Sequence, residues 1–534
     1  METRSNWGRG ALALWGVIYA AAGCAAPGGG AFLEGEGEPR AACDAEDCGE
    51  YVGLDPSAKH DGFEFSNAPL TFGAACAEGE RITIAAVGDV LLHGPLQQQA
   101  YSGSDGFRSL WADALPLLAN ADVTYANLEG ATAAGVSKSG RAVPDPGKVL
   151  GEVYSSYPQF NYHPSLVEDL LASGVDVVST ANNHSMDRHS LGVDRTIDAL
   201  EAAGMAFTGT RRRGETRSWA VRTTVRGVRL SWIACTYGTN GIRDPHDQVF
   251  LCFQQRSELL SLVSAEAARS DVDAVIVTPH WGDEYHATPN RAQVELGHDL
   301  LEAGALAVIG SHPHVLQPWE KYVTTDGREG FVIYSLGNFV SNQTTVPKRS
   351  TLLLYLGLTK GRDGVVRVHG ARYVPMYMLR EGRRMLAALD PDTRYRDSFD
   401  LTVSMFGGYN AMFADEPIVL DPQCDPAWTA PRLTPPFVGD ACARDAECDF
   451  APGAFCHAAG FCTLPCDGYC PDRADRALTF CAEDPHAPST GICTSRSSGT
   501  NGYCAAVPGT SAREAERFVA GSGAASATAT ACLP

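Results

Sequence analysis

Positive charge is what this chain has least of. Its 534 residues carry 42 Lys and Arg against 63 Asp and Glu, a formal net charge of −21. Nucleic acid and anionic membrane surfaces are bound through basic faces, so neither is expected as a partner. Long apolar runs are also scarce. The run from Ala11 to Ala22 is shorter than the roughly 20 residues that span a bilayer, and nothing later resembles a spanning helix. Three catalytic signatures are missing: a Gly-rich loop ending in Gly-Lys-Ser/Thr, a Gly-x-Ser-x-Gly elbow and a His-Glu-x-x-His helix. Their mechanisms are not expected here. No repeat of fixed period is visible.

What is present points to an exported protein of at least two folding units. The composition, 44% hydrophobic and 20% charged, is that of a globular chain, and the length exceeds a typical domain. Arg4 and Arg9, the apolar run, and the small residues Gly23 and Ala25 read as a secretory signal over residues 1–23. Ala21-Ala22-Gly23-Cys24 resembles a bacterial lipoprotein box; lipid attachment at Cys24 and plain cleavage both fit. Cysteine is abundant, 17 in all, and eleven lie from Cys424 onward. That density predicts a disulfide-stapled module over residues 424–534. Irregular spacing and an oxidising compartment disfavour zinc there. Residues 24–80, rich in Gly, Ala and acids, read as a flexible tether in which Cys43 and Cys48 are candidates to close a small loop. Residues 401–423 read as a linker.

Between them, residues 81–400 alternate strand and helix patterns. Apolar runs at 82–87, 175–179, 228–233, 272–277, 305–309 and 331–334 are strand candidates. Helical patterns end at Gly174, Gly204 and Gly304, each suited to a left-handed C-cap. Alternation of this kind predicts an α/β domain of sheets and helices. Polar residues gather just after the strands, where open α/β sheets bind ligands. In Gly310-Ser311-His312-Pro313-His314 two imidazoles lie one residue apart beyond a strand, suited to a borderline first-row metal. Taken alone, such a loop reads equally well as exposed histidines. The other strand ends supply Asp89 and His93, Asn127 and Glu129, Asn182 to His184 with Asp187, and His280 with Asp283 and Glu284. Nitrogen and oxygen ligands from several segments, with one bridging carboxylate, are what a binuclear centre needs.

Six ordered motifs carry a family resemblance from about Arg81 to Arg380. They are Ala86-Val87-Gly88-Asp89, Asn127-Leu128-Glu129, Ala181-Asn182-Asn183-His184-Ser185-Met186-Asp187, His280-Trp281-Gly282-Asp283-Glu284-Tyr285, Gly310 to Gln317, and Tyr334-Ser335-Leu336-Gly337-Asn338-Phe339. The chain resembles the CapA family of poly-γ-glutamate capsule proteins, a branch of the calcineurin-like metallophosphoesterase superfamily. The resemblance implies a four-layer α/β sandwich of sheets flanked by helices. It implies two divalent metal ions (Mn, Fe or Zn) held by Asp89, His93, Glu129, Asn183, His280, His312 and His314, with Glu129 bridging. His184 would be general acid or electrostatic clamp, with Asp187 beside it. His93 departs from the superfamily pattern, standing four residues after Asp89 instead of two, and Glu129 stands where aspartate is usual. Asp187 fits a helix cap equally well, and Cys235 and Cys252 fit either a disulfide or two buried thiols.

The function this implies is metal-assisted hydrolysis or transfer on an anionic cell-envelope or capsular polymer, in the bacterial envelope or outside the cell. The alternative is a metal-binding accessory factor without turnover that serves a membrane-bound capsule synthase. Membrane contact is expected only through a lipid on Cys24. A polyanion would be repelled by the overall charge, so the metals together with Arg188 and Arg211 to Arg213 are expected to supply a local positive site.

Overall fold

Aliphatic runs that are buried on both faces become central strands, and this chain has enough of them for two sheets. A computed structural model describes residues 49–534 apart from 61–62, 382–383, 427, 429, 432, 435, 474–475, 498–503, 505–506 and 522–526. The expected signal sequence, Cys24, and the Cys43 and Cys48 loop lie outside the described residues. In chain order the sheet strands are β1 (Gly79–Val90), β2 (Val123–Leu128), β3 (Val177–Ser179), β4 (Ala206–Thr208), β5 (Val221–Val225), β6 (Val228–Thr236) and β7 (Ala274–His280). There follow β8 (Ala307–Ile309), β9 (Leu316–Val323), β10 (Glu329–Leu336), β11 (Ser350–Gly361), β12 (Val366–Leu379) and β13 (Met385–Ala388). One sheet has the order β13-β12-β11-β1-β2-β3-β4 and the other β9-β10-β8-β7-β6-β5. β1 to β4 run parallel, as do β6, β7, β8 and β10; the other pairings are antiparallel.

Side-chain alternation along each strand sorts residues between two cores. Ile82, Ile84 and Ala86 of β1 share one core with Trp232 of β6, Ile276 of β7 and Ile309 of β8, so the sheets pack face to face. Ala85 and Val87 point the other way. They join Leu96 of α1 (Gly94–Ser102), Leu166 and Leu170 of α2 (Ser165–Ala172) and Ile197 of α3 (His189–Ala203). Beyond the second sheet, Ile233, Val277 and Val308 pack on Leu259 and Val263 of α4 (Arg256–Ala267) and Val294 and Leu300 of α5 (Arg291–Glu302). The layers run helix, sheet, sheet, helix, which is the four-layer α/β sandwich expected. Gly204 takes φ +76° just past α3, the left-handed C-cap its position suggested.

Two segments differ from their expectation. The described part of the tether, residues 49–80, is docked: Phe63 and Phe72 are buried, Cys76 is bonded to Cys424, and Val52 N–H donates to Tyr285 O at 2.9 Å. Two rings and a disulfide anchor a segment whose average composition is polar. The expected linker, residues 401–423, is built into the domain. Helix α6 (Arg396–Phe406) crosses the boundary and buries Thr402, Met405 and Phe406. The fully buried Arg372 of β12 draws the rest in, because its guanidinium needs acceptors and finds them in Ala411 O and Val419 O.

Past residue 440 the described residues form only small apolar clusters, such as Phe461, Ile492 and Val507, and covalent links compensate. Disulfides join Cys442 to Cys456, Cys448 to Cys462, Cys466 to Cys481, Cys470 to Cys493 and Cys504 to Cys532. They staple short hairpins, among them Thr479–Glu483 with Gly491–Ser495 and Ser511–Glu516 with Thr528–Leu533. Cys235 and Cys252 form a disulfide, one of the two alternatives. Among the described residues no helix is long and apolar enough to cross a membrane.

Candidate metal centre

The parallel strands deliver their C-terminal ends to one place. Asp89 lies at the end of β1, Asn127 on β2 with Glu129 just beyond, Asn183 and His184 follow β3, His280 closes β7, and His312 and His314 lie between β8 and β9. Close backbone approach makes this possible. A Cβ on Gly310 would stand 2.1 Å from Tyr334 O, so only glycine passes there. Immediately after it His312 and His314 take φ of +103° and +57°. Left-handed backbone at two non-glycine residues is strain of the kind that surrounding structure sustains at working sites.

Around Glu129 the side chains interlock. Asn127 Nδ2 donates to Asp89 Oδ1 at 2.7 Å and lies 3.2 Å from His280 Nδ1. His280 Nδ1 is also 3.1 Å from Ser311 Oγ. Its Nε2 is 3.0 Å from Asn183 Oδ1 and 3.6 Å from Glu129 Oε1. His314 Nδ1 meets Asp89 Oδ2 at 3.1 Å and Asn338 Oδ1 at 3.0 Å, with Nε2 3.7 Å from Glu129 Oε1. Ligand atoms of Glu129, His280 and His312 all fall within 4.8 Å of one another, and so do those of Glu284, His312 and His314.

Both oxygens of the fully buried Glu129, and His312 Nδ1, have no hydrogen-bond partner. A buried carboxylate without one is costly. Burial and the neighbouring Asp89 charge push the Glu129 carboxyl well above its ordinary range. Burial holds His280 and His312 well below theirs. At His314 burial also works downward, but Glu129 and Asp89 outweigh it and push the imidazole up to about 10. Orphaned oxygens and neutral imidazoles facing each other are the donor set of a borderline divalent ion. Glu129, Asp89, Asn183, His280, His312 and His314 are therefore fitted to hold metal.

Above this cluster opens a cavity of about 590 Å³, lined by His93, Phe160, Asn183, His184, Asp187, Glu284, Tyr285 and His314 among others. His184 Nδ1 is 2.7 Å from Asp187 Oδ2, an oxygen that also accepts Phe160 N–H at 2.6 Å, and Phe160 stands edge-on to the imidazole at 4.8 Å. Asp187 thus fixes His184 instead of capping α3, whose N-cap is Arg188. His93 is the N-cap of α1. Its Nδ1 is held 3.2 Å from Leu91 O and from Asn342 N, so the ring belongs to the cavity wall four residues beyond Asp89.

The arginines do not form the expected positive site. Arg188 is fully buried and donates to Val153 O, Asp187 O and Ser155 Oγ. Arg212 pairs with Asp198 and Glu201, Arg213 with Asp194, and Arg211 lies over Trp219. Each is satisfied by its own fold. Asn338 supports His314, and Trp281 packs in the core with its Nε1–H on Tyr334 O. Tyr237 was missed by the sequence reading. Its ring covers His312 at 4.5 Å, and burial pushes its hydroxyl up to about 12. The signal was its place directly after an apolar strand, like every other member of the cluster.

Residues 83–343 match the family model described as bacterial capsule synthesis protein PGA_cap. The capsule biosynthesis protein CapA of Bacillus anthracis is 27% identical over 332 residues, 60% of this chain and 73% of that one. The PGA biosynthesis protein CapA of Bacillus subtilis is 31% identical over 198 residues, 35% of this chain and 48% of the relative. A Mycobacterium tuberculosis protein named "probable polyglutamine synthesis accessory protein" is 27% identical over 290 residues, 48% of this chain and 66% of its own. Strand ends, motifs and match coincide over the same stretch: residues 83–343 are the part of this chain that matches the bacterial capsule synthesis protein family.

Proposed function

We propose that this protein is an exported enzyme of the bacterial envelope that hydrolyses or transfers a bond in an anionic capsular polymer, at a centre of two divalent ions. The observation that carries the reading is the buried Glu129 carboxylate, without a hydrogen-bond donor and ringed by His280, His312, His314, Asn183 and Asp89 beneath an open cavity. The disulfides support an oxidising compartment. Bound divalent ions would supply Lewis acidity and positive charge.

The chain's own residues do the rest. Asp187 accepts the Nδ1 proton of His184 and so stabilises the imidazolium, whose Nε2–H is the proton given to a departing oxygen or nitrogen, after which Nε2 is left unprotonated. Phe160 and Tyr237 wall the histidines and reduce the water around them. Among the described residues no Lys or Arg lines the cavity, while Asp187 and Glu284 do. A phosphoester or glutamyl amide would be drawn in by the metal charge and not by a basic groove.

The test is elemental mass spectrometry and a substrate screen on the wild type, His184→Ala and the His312→Ala/His314→Ala pair. The expected result is about two ions per chain, lost in the double variant. Turnover in His184→Ala should fall by roughly 10²- to 10⁴-fold with metal retained. Metal binding without turnover of any phosphoester or glutamyl amide would favour the accessory-factor reading, which the acidic cavity lining also suits.

A further inference from the structure

The loop after β7 carries two consecutive acids, Asp283 and Glu284, and the structure sends them in different directions. Asp283 accepts a hydrogen bond from Asn290 Nδ2 at 2.8 Å and so belongs to the start of α5. Glu284 turns to the histidines. Its carboxylate lies within 4.8 Å of the ligand nitrogens of His312 and His314, and no side-chain hydrogen bond or ion pair engages it among the described residues.

An exposed glutamate is most often just solvated, so position alone would carry little. Here the position is enforced. Trp281 N–H donates to Ser311 O at 3.0 Å and Tyr285 N–H to Pro313 O at 2.7 Å, which pins the loop to the backbone on both sides of His312. Gly282 and Tyr285 flank the two acids with φ of +95° and +66°, a turn that costs backbone strain at Tyr285. On the other side of the cluster His312 Nδ1 is buried without a partner. Two ligands of one first-row ion, each about 2.1 Å from it, lie within about 4.2 Å of each other. A small χ adjustment of an exposed side chain closes that difference.

We propose that Glu284 is a metal ligand, holding with His312 and His314 the ion that faces the cavity, while Glu129, His280 and Asn183 hold the deeper one. The inference rests on the metal-centre reading above and adds to it the carboxylate that lies between the ion and the cavity. A Glu284 carboxylate there places a further negative charge at the entrance, which would favour a substrate that itself displaces or bridges that ligand.

The full chain is loaded with Mn²⁺, desalted, and its metal content measured for wild type, Glu284→Gln, Glu284→Asp and Asp283→Asn. Near-UV circular dichroism serves as the folding control, and Mn²⁺ titration followed by electron paramagnetic resonance gives affinities. Two ions are expected in wild type and Asp283→Asn. Glu284→Gln should keep one and bind the second at least tenfold more weakly, with Glu284→Asp between. Two ions of unchanged affinity in a folded Glu284→Gln would overturn the role of Glu284 and leave the centre standing. No ion in wild type would overturn the centre, and this role with it.

Discussion

A carboxylate such as Glu129, buried and without a hydrogen-bond donor, lowers the stability of the chain that contains it unless a cation is bound. Glu129→Gln should therefore lose the deeper ion yet raise the stability of the metal-free protein by about 1 to 3 kcal/mol, measured by urea unfolding in chelator. A metal-free variant less stable than wild type would show that the charge is already compensated within the protein. Asp273 is the opposite case. It accepts hydrogen bonds from Arg229 and Lys360, which hold its carboxyl well below the ordinary carboxylate range. A depressed carboxyl contributes stability above its unfolded value near pH 4 and loses it as pH falls towards the folded value. Asp273→Asn should cost roughly 2 kcal/mol at pH 7, below the cost of breaking a fully buried pair because Arg229 is over a third exposed. The deficit should shrink between pH 5 and pH 2; a constant difference would mean that packing, not charge, is what Asp273 provides.

Individual elements decide how well these residues are aimed. Helix α5 starts with a capping box: the Asn290 side chain accepts Gln293 N–H, and Gln293 Oε1 accepts Asn290 N–H. Asn290→Ala should lose about 1 kcal/mol and lower the melting temperature by a few degrees at most. It should also loosen Asp283 beside Glu284, visible as faster amide exchange over 281–290. The capping box was not read from the sequence. Nor were the long antiparallel strands β11 and β12, because their near-continuous burial leaves no alternation to detect. The central strands were legible for the converse reason: short apolar runs, each followed by glycine or polar residues and then by a helix ending in glycine. Histidine and asparagine clusters at those strand ends exposed most of the site. Tyr237 shares that place directly after an apolar strand but stayed hidden because a single tyrosine carries no metal-ligand chemistry to mark it.

At the scale of the whole molecule the Cys76–Cys424 disulfide joins residues 348 apart in sequence and ties the docked N-terminal segment to the residues around Arg372. Replacing both cysteines by serine should lower stability by roughly 3 to 5 kcal/mol. Limited proteolysis should then release residues 49–78 first, and intact protection there would show that Phe63 and Phe72 hold the segment unaided. The sequence by itself determined the α/β alternation and the disulfide-rich tail, because burial periodicity and cysteine density are written in neighbouring positions; the sandwich and the candidate residues of the centre came through the motifs it shares with a family. It could not decide which cysteine faces Cys424, where the buried Arg372 finds acceptors, or that Arg188 and Arg211 to Arg213 are consumed inside their own fold. Those outcomes depend on which distant groups meet, and only the packed tertiary structure, where buried polar groups compete for partners, selects them.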